Sequence, residues 1–271
     1  MSLEVLTPFR LSWRWAALKN GLQDATAYRW EFFIEFASSA LVPASVQWIL
    51  WYAIFHLSGQ QTIQGMHYSD LITYTWVSLL FNQVRGGDLD FELQEMIRTG
   101  QLSNYLLRPV GVVEFIFLRG IAPKLFIALI CMCVGMIATP WLGVSPFRMV
   151  AAMILALIGN MIHYQMGATL STAAFYWEES HSLLMMKNMV VNLLSGELIP
   201  LNLFPPQYAW VWKSLPFYFF VYGPTQYAIG RWSTPEFIEQ LGYALLWAIG
   251  LSFLVRGTWR LGMVRYLSHG G

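Results

Sequence analysis

The chain has 271 residues, of which 56% are apolar, 16% aromatic and only 11% charged, and its formal net charge is +1. A soluble domain carries about 25% charged residues, and a nucleic-acid surface needs clustered Lys and Arg. This composition excludes both and describes a polytopic membrane protein.

The N-terminal MSLEVLTPFRLSWRW places Glu4, Arg10 and Arg14 where a cleavable signal peptide needs an unbroken apolar core, so none is expected. Leu11, Trp15, Leu18 and Leu22 then recur at helical spacing, with Arg10, Asn20, Gln23 and Asp24 opposite. Residues 1–30 therefore predict an amphipathic helix, suited either to the headgroup layer or to packing on protein, and we expect the former.

Residues 36–55 carry no charge and match the roughly 20 helical residues that cross a bilayer, with a kink expected at Pro43. Residues 68–84 form a shorter second span bearing only Asp70, and Arg85-Gly86-Gly87 turns the chain. After the charged stretch 88–109, spans are expected at 125–142 and 149–177. The polar cluster Glu178, Glu179, Ser180 and His181 precedes a fifth span, 183–201, which carries Glu197. Residues 202–235 are too broken by Pro205, Pro206, Pro216 and Pro224 for one span, and their aromatics suit short helices or re-entrant pieces at one membrane face. The sixth span, 237–255, is followed at once by Arg256, Arg260 and Arg265. Cys131 and Cys133 stand two apart on one helix and do not face each other, so no disulfide is expected between them.

With the N-terminus in the cytoplasm, all but three of the 16 Lys and Arg residues fall on the cytoplasmic side. Only Arg148, Lys213 and Arg231 remain outside, in accord with the positive-inside rule. The expectation is an all-α membrane protein of six transmembrane helices, both termini cytoplasmic.

The stretch DLDFELQEMIRTGQLSNYLLRP, residues 88–109, lies on the cytoplasmic side of that scheme. Asp88 or Asp90 is placed to cap a helix whose Leu89, Leu93, Met96 and Ile97 share one face, and Gly100 to stop it. Its polar side offers Glu92, Glu95 and Arg98. By residue chemistry such a helix fits lipid headgroups and a protein partner equally.

Glu178-x-x-His181 has the spacing of half a di-iron motif, but the second pair and the additional glutamates are missing. His163, with Asn160 and Gln165 nearby, reads as a polar pathway or as hydrogen bonding between helices. Glu197 reads as a gate or pore residue, or as the partner of Lys213 or Arg231 at the outer interface. No lysine stands in a G-x-x-x-x-G-K-[ST] loop, since the four occur as ALKNG, APKLF, MMKNM and VWKSL.

The order of these parts, together with LSNYLLRP at 102–109, FYWEES at 175–180, LSGELIPLNLFP at 194–205 and LPFYFFVYGP at 215–224, resembles the permeases of bacterial type-2 ATP-binding-cassette (ABC) exporters over nearly the whole chain. The resemblance implies that 88–109 is a cytoplasmic coupling helix seated on a separate ATPase subunit. Asp90, Glu92, Glu95 and Arg98 would then face that subunit, and Glu178 and Glu179 would make a second contact. It implies that the N-terminal helix is a connecting helix. It also implies that residues 215–230 form extracellular gate helices, which makes Phe217, Tyr218 and Tyr222, beside Glu197 and His163, the gate and pore candidates. The chain itself would hold no cofactor: ATP and magnesium would be bound by the partner ATPase. A second permease copy or a related permease would complete the transporter in the bacterial cytoplasmic membrane. The alternative is an intramembrane transferase acting on lipid or isoprenoid substrates, for which only the EESH cluster speaks. A passive channel is disfavoured because no charged ring or filter-like segment is visible.

Overall fold

The computed structural model describes residues 7–268 except 28, 60, 86–88, 108–109 and 178. The expected cap Asp88, the turn at Arg108-Pro109 and the candidate contact Glu178 therefore lie outside the described residues. The described residues form eleven α-helices, several of them joined by short 3-10 turns. Among the described residues there is no β-sheet, only an isolated bridge between Ile63 and Met66.

Helix α1 (Thr7–Ala27) packs along α6 (Val112–Leu142). The apolar stripe does not make this contact, because Trp15 and Leu22 are exposed. The small side does: Ala17 is fully buried, and a Cβ on Gly21 would collide with the backbone carbonyl of Arg119. Small residues let two helix backbones approach closely, and Arg14 Nε joins Glu114 Oε1 at 2.8 Å to hold the pair in register. One face of α1 thus lies on protein while its Trp15 face stays uncovered.

Among the described residues, four helices are long and apolar enough to cross a membrane: Ala37–Leu57 within α2 (Arg29–Ser58), Val112–Leu142, Pro146–Phe175 and Thr234–Tyr266. Helix α6 begins well before the expected residue 125 and passes through Pro123 and Pro140 to its stop at Gly143, whose φ is +66°. At 1.5 Å per residue its 31 residues rise about 46 Å, against about 30 Å of hydrocarbon. The surplus is a stem carrying Glu114, Arg119 and Lys124. Charges ended the apolar run in the sequence but did not end the helix, because Glu114 and Arg119 each find an ion-pair partner.

Helix α7 (Pro146–Ser171), prolonged by a 3-10 turn at Thr172–Phe175, is the centre of the bundle. It buries 61% of its most apolar window, whereas none of the other three long apolar helices exceeds 28%. Helix α11 (Thr234–Ser268) packs along it.

The two remaining expected spans differ from this pattern. Helix α3 (Tyr68–Arg85) is buried along much of its length, Ser78, Gln83 and Arg85 included, so it is surrounded by protein and needs no uniform apolar surface. Helix α8 (His181–Leu194) is 14 residues long and ends where the chain turns through Gly196 at φ +77°, so the expected continuous run to 201 does not form. Beyond it come 3-10 turns at Leu201–Leu203 and Pro206–Tyr208, α9 (Ala209–Ser214), a 3-10 turn at Pro216–Phe219 and α10 (Tyr222–Ala228). The first half leaves Tyr208 and Trp210 exposed, as aromatics at a membrane face would be. The second half is enclosed by protein. Residues Tyr218 to Tyr222 are buried, and α10 packs against α7 and α3.

Among the described residues two apolar cores result. The larger joins α3, α7, α11 and the 218–222 segment. The smaller is built where α4 (Leu89–Arg98) inserts Leu93, Met96 and Ile97 among Ile116, Tyr164, Ala168 and Val255. Cys131 is buried and Cys133 exposed, both free, as opposite faces of one helix require.

Candidate functional site

Helix α4 forms because Leu89, Leu93, Met96 and Ile97 fall on one face and its charges suit the helix ends, Asp90 and Glu92 in the first turn and Arg98 in the last. It stops at Gly100, φ +76°, and α5 (Leu102–Leu106) follows. Leu93 is fully buried, and Leu89 lies so close to Gly120 of α6 that a Cβ there would collide with it. Gln94 Nε2 donates to Ser180 Oγ at 2.7 Å, and Phe91 packs on the His181 ring at 4.9 Å. The helix is thereby seated on the ends of α6, α7 and α8.

The four polar residues expected on one outward face divide three ways. Asp90 points inward, a correction to the expected exposure: its side chain is 3% exposed and its Oδ2 accepts from Lys187 Nζ at 2.5 Å. The reason is opposite it on α7, where Gly167 leaves room for the carboxylate. Glu92 is half-buried and forks onto Arg119 of α6. Glu95 and Arg98 are exposed and pair with each other at 2.8 Å. The Arg98 hydrogen bonds hold the Glu95 carboxyl below its ordinary value. Beside them Thr99, Gln101, Leu106 and Leu107 are also exposed, Leu107 by 88%. Glu179 is exposed, and its backbone carbonyl accepts from Ser182 Oγ at 3.2 Å.

Deeper in, Lys187 Nζ also lies 3.2 Å from His163 Nε2. An ammonium offers only protons, so Nε2 accepts and the ring proton sits on Nδ1. His163 is therefore a link between α7 and α8, and its ring meets Phe220 edge-on at 5.6 Å. Asn160 is a backbone cap for α3: its Nδ2 donates to the carbonyls of Val84 and Arg85, 2.8 and 3.1 Å away. Gln165 Nε2 donates to Ser252 Oγ of α11 at 2.8 Å.

Glu197 does not pair with Lys213 or Arg231. Arg231 reaches Asp70 at 3.3 Å, and Lys213 lines a separate cavity of about 570 Å³ with Trp210, Trp232 and Glu239. Glu197 instead accepts from Arg85 Nη2 at 2.8 Å and from Asn82 Nδ2 at 2.5 Å, and Arg85 also reaches Asn192 Oδ1 at 3.2 Å. Around this pair the chain after α8 is tied down. Gln47 Nε2 donates to the Glu197 carbonyl at 3.1 Å, Tyr74 Oη to that of Gly196 at 2.5 Å, and the Tyr222 amide to that of Ser195 at 2.9 Å. Of the aromatic gate candidates, Tyr218 and Tyr222 are buried 5.0 Å apart, and Phe217 stacks edge-on against Phe220 at 5.9 Å.

The residues missed in the sequence are the partners Lys187, Arg85 and Asn82. A signal existed, since opposite charges in separate apolar surroundings are costly unless they meet. Which charges meet depended on tertiary placement.

A helical chain with four membrane-length helices among the described residues, buried ion pairs joining the shorter elements packed against them and a charged helix seated at one end is a multi-pass membrane protein. The family model described as "ABC-2 family transporter protein" matches residues 41–270, and the chain belongs to that family. It is thus the membrane component of an ABC transporter, a kind of subunit that typically has no catalytic role and works with partner ATPase subunits. No curated protein and no solved structure matches the chain.

Proposed function

We propose that this chain is the permease of an ATP-driven exporter in a bacterial cytoplasmic membrane, with α4 as the helix that receives the motion of a separate ATPase. The observation that carries the reading is the division of α4 into a buried side locked to α6, α7 and α8 and an exposed side presenting Glu95, Arg98 and Thr99. Leu106 and Leu107 extend that exposed surface with apolar area, which an isolated loop has no reason to display.

In this reading α3 and α8 complete six spans, α8 through the turn that follows it, and the α4 end and both termini are cytoplasmic. The sidedness rests on the Lys and Arg distribution, although Arg85 and Lys187 are buried in ion pairs and do not count as loop charges. ATP and magnesium are bound by the ATPase. A second copy or a related permease covers the apolar faces left open on α2, with Val42, Val46 and Ile49, and on α8, with Met185, Met186 and Met189. The segment 215–230 acts as the outer gate, and the connecting role falls to α1.

The test is co-purification from the native host with ATPase subunits, followed by ATP-dependent export from inverted vesicles. Reversing Glu95 and Arg98 together with Leu107→Asp should break ATPase association while the permease stays folded. A triple variant that still binds the ATPase and transports normally refutes the assignment of α4.

A further inference from the structure

One face of α7 carries four polar or small residues at intervals of four: Gly159, His163, Gly167 and Ser171. They cover about 18 Å of helix rise. At Gly159 a Cβ would lie 2.6 Å from the Phe219 carbonyl oxygen, so the aromatic segment touches bare backbone there. At His163 the ring meets Phe220 on one side and Lys187 on the other. At Gly167 the space of a side chain is filled by the Asp90 carboxylate, and Ser171 Oγ donates to the Asp90 carbonyl at 2.7 Å. The first turn of α4 and the 219–220 segment thus rest on opposite ends of one seam, and Lys187 of α8 bonds to Asp90 at one end and to His163 in between.

We propose that this seam is the transmission link of the transporter, with Asp90, Lys187 and His163 as positioning residues that make the aromatic segment follow α4. The inference rests on the reading of α4 as the helix moved by the ATPase. Apolar contacts slide at little cost, but a buried ion pair has no favourable half-open state, because separating the charges leaves both unsolvated. Asp90 and Lys187, 3% and 2% exposed, therefore move as a unit. His163 carries that unit's position to α7 and, through its edge contact with Phe220, to the segment above. The two glycine contacts leave no slack in which a displacement could be absorbed.

The experiment uses the permease with its co-purified ATPase in nanodiscs. A spin label on Lys213→Cys of α9, which packs on the 3-10 turn Pro216–Phe219, in a background with Cys131 and Cys133 replaced by Ala, reports movement of the aromatic segment beside it. The observable is the change in label mobility on trapping with ATP and vanadate. Asp90→Asn and Lys187→Met should each cut that change at least fivefold while ATP hydrolysis continues. The apolar pair Asp90→Leu with Lys187→Met should fold at least as well as the parent and still lack the change, which a purely structural role does not predict. The reversed pair, Asp90→Lys with Lys187→Asp, should recover at least half of it. Gly167→Ala leaves every charge in place and should damp the response by displacing Asp90. A full response from the apolar pair, no recovery in the reversed pair, or an unaltered response in Gly167→Ala overturns the proposal. Absence of any response in the parent complex overturns the reading of α4 itself, and the link with it.

Discussion

Replacing Glu197 by Gln preserves the shape of the side chain and removes one charge, so it isolates what the buried pair contributes. Both carboxylate oxygens accept hydrogen bonds, Oε2 from Arg85 at 2.8 Å and Oε1 from Asn82 at 2.5 Å. An amide has one acceptor. Whichever way it flips, its NH2 faces either the guanidinium or the Asn82 amide, donor against donor. Arg85 cannot turn to water, since its side chain is 9% exposed. Breaking one partner out of a buried pair costs about 3–5 kcal/mol, against about 0.2–1 kcal/mol for an exposed one. Arg85 keeps Asn82 Oδ1 at 2.8 Å and Asn192 Oδ1 at 3.2 Å, which places the expected loss near the lower end, about 3 kcal/mol. Steric trapping or reversible unfolding in mixed micelles measures it. The double replacement Arg85→Leu with Glu197→Leu should return to within about 2 kcal/mol of the parent, because no charge is then stranded. A loss under about 1 kcal/mol in Glu197→Gln would show that water or lipid solvates Arg85 and that the pair is not a buried one.

Leu107→Asp should weaken ATPase capture at least tenfold in a pull-down without moving the unfolding midpoint, since the leucine is 88% exposed and packs on nothing that a charge would disturb. Gly21→Leu should drive α1 off the Arg119 carbonyl, and limited proteolysis should then cut within residues 7–27 several times faster than in the parent. Because the Glu95 carboxyl is held below the ordinary 4.5 by its Arg98 hydrogen bonds, the pair contributes fully at neutral pH and is lost only as pH falls through that lowered value. A carbon-13 titration of Glu95 with a midpoint at or above 4.5 contradicts this.

Helix α4 was legible in the sequence because its information is local: four apolar residues at helical spacing and a glycine that adopts φ +76°. The long spans were legible for the same reason, as uninterrupted apolar runs. Their ends were not, because a run length stops at the first charge while α6 continues through Glu114, Arg119 and Lys124. Asp90 was misread from the pattern of its own helix, which holds no record of the room left by Gly167 on another. The buried pairs join residues 97 and 112 positions apart, and no periodicity within one segment carries that information. The shortness of α8 was hidden because Ser195, Gly196 and Glu197 do not lower the apolar content of their surroundings enough to mark a break.

That shortness has a consequence for how the protein is made. The 14 residues of α8 rise about 21 Å, less than the hydrocarbon thickness, and carry Lys187 at their midpoint. Such a segment is a poor stop signal for a translocon, since it is too short to cross the hydrocarbon and carries a charge. Asp90 and His163, the groups that offset that charge, both precede it in the chain and have left the ribosome first. In the six-span reading proposed above, α8 is integrated by docking onto α4 and α7 already in place rather than by its own hydrophobicity.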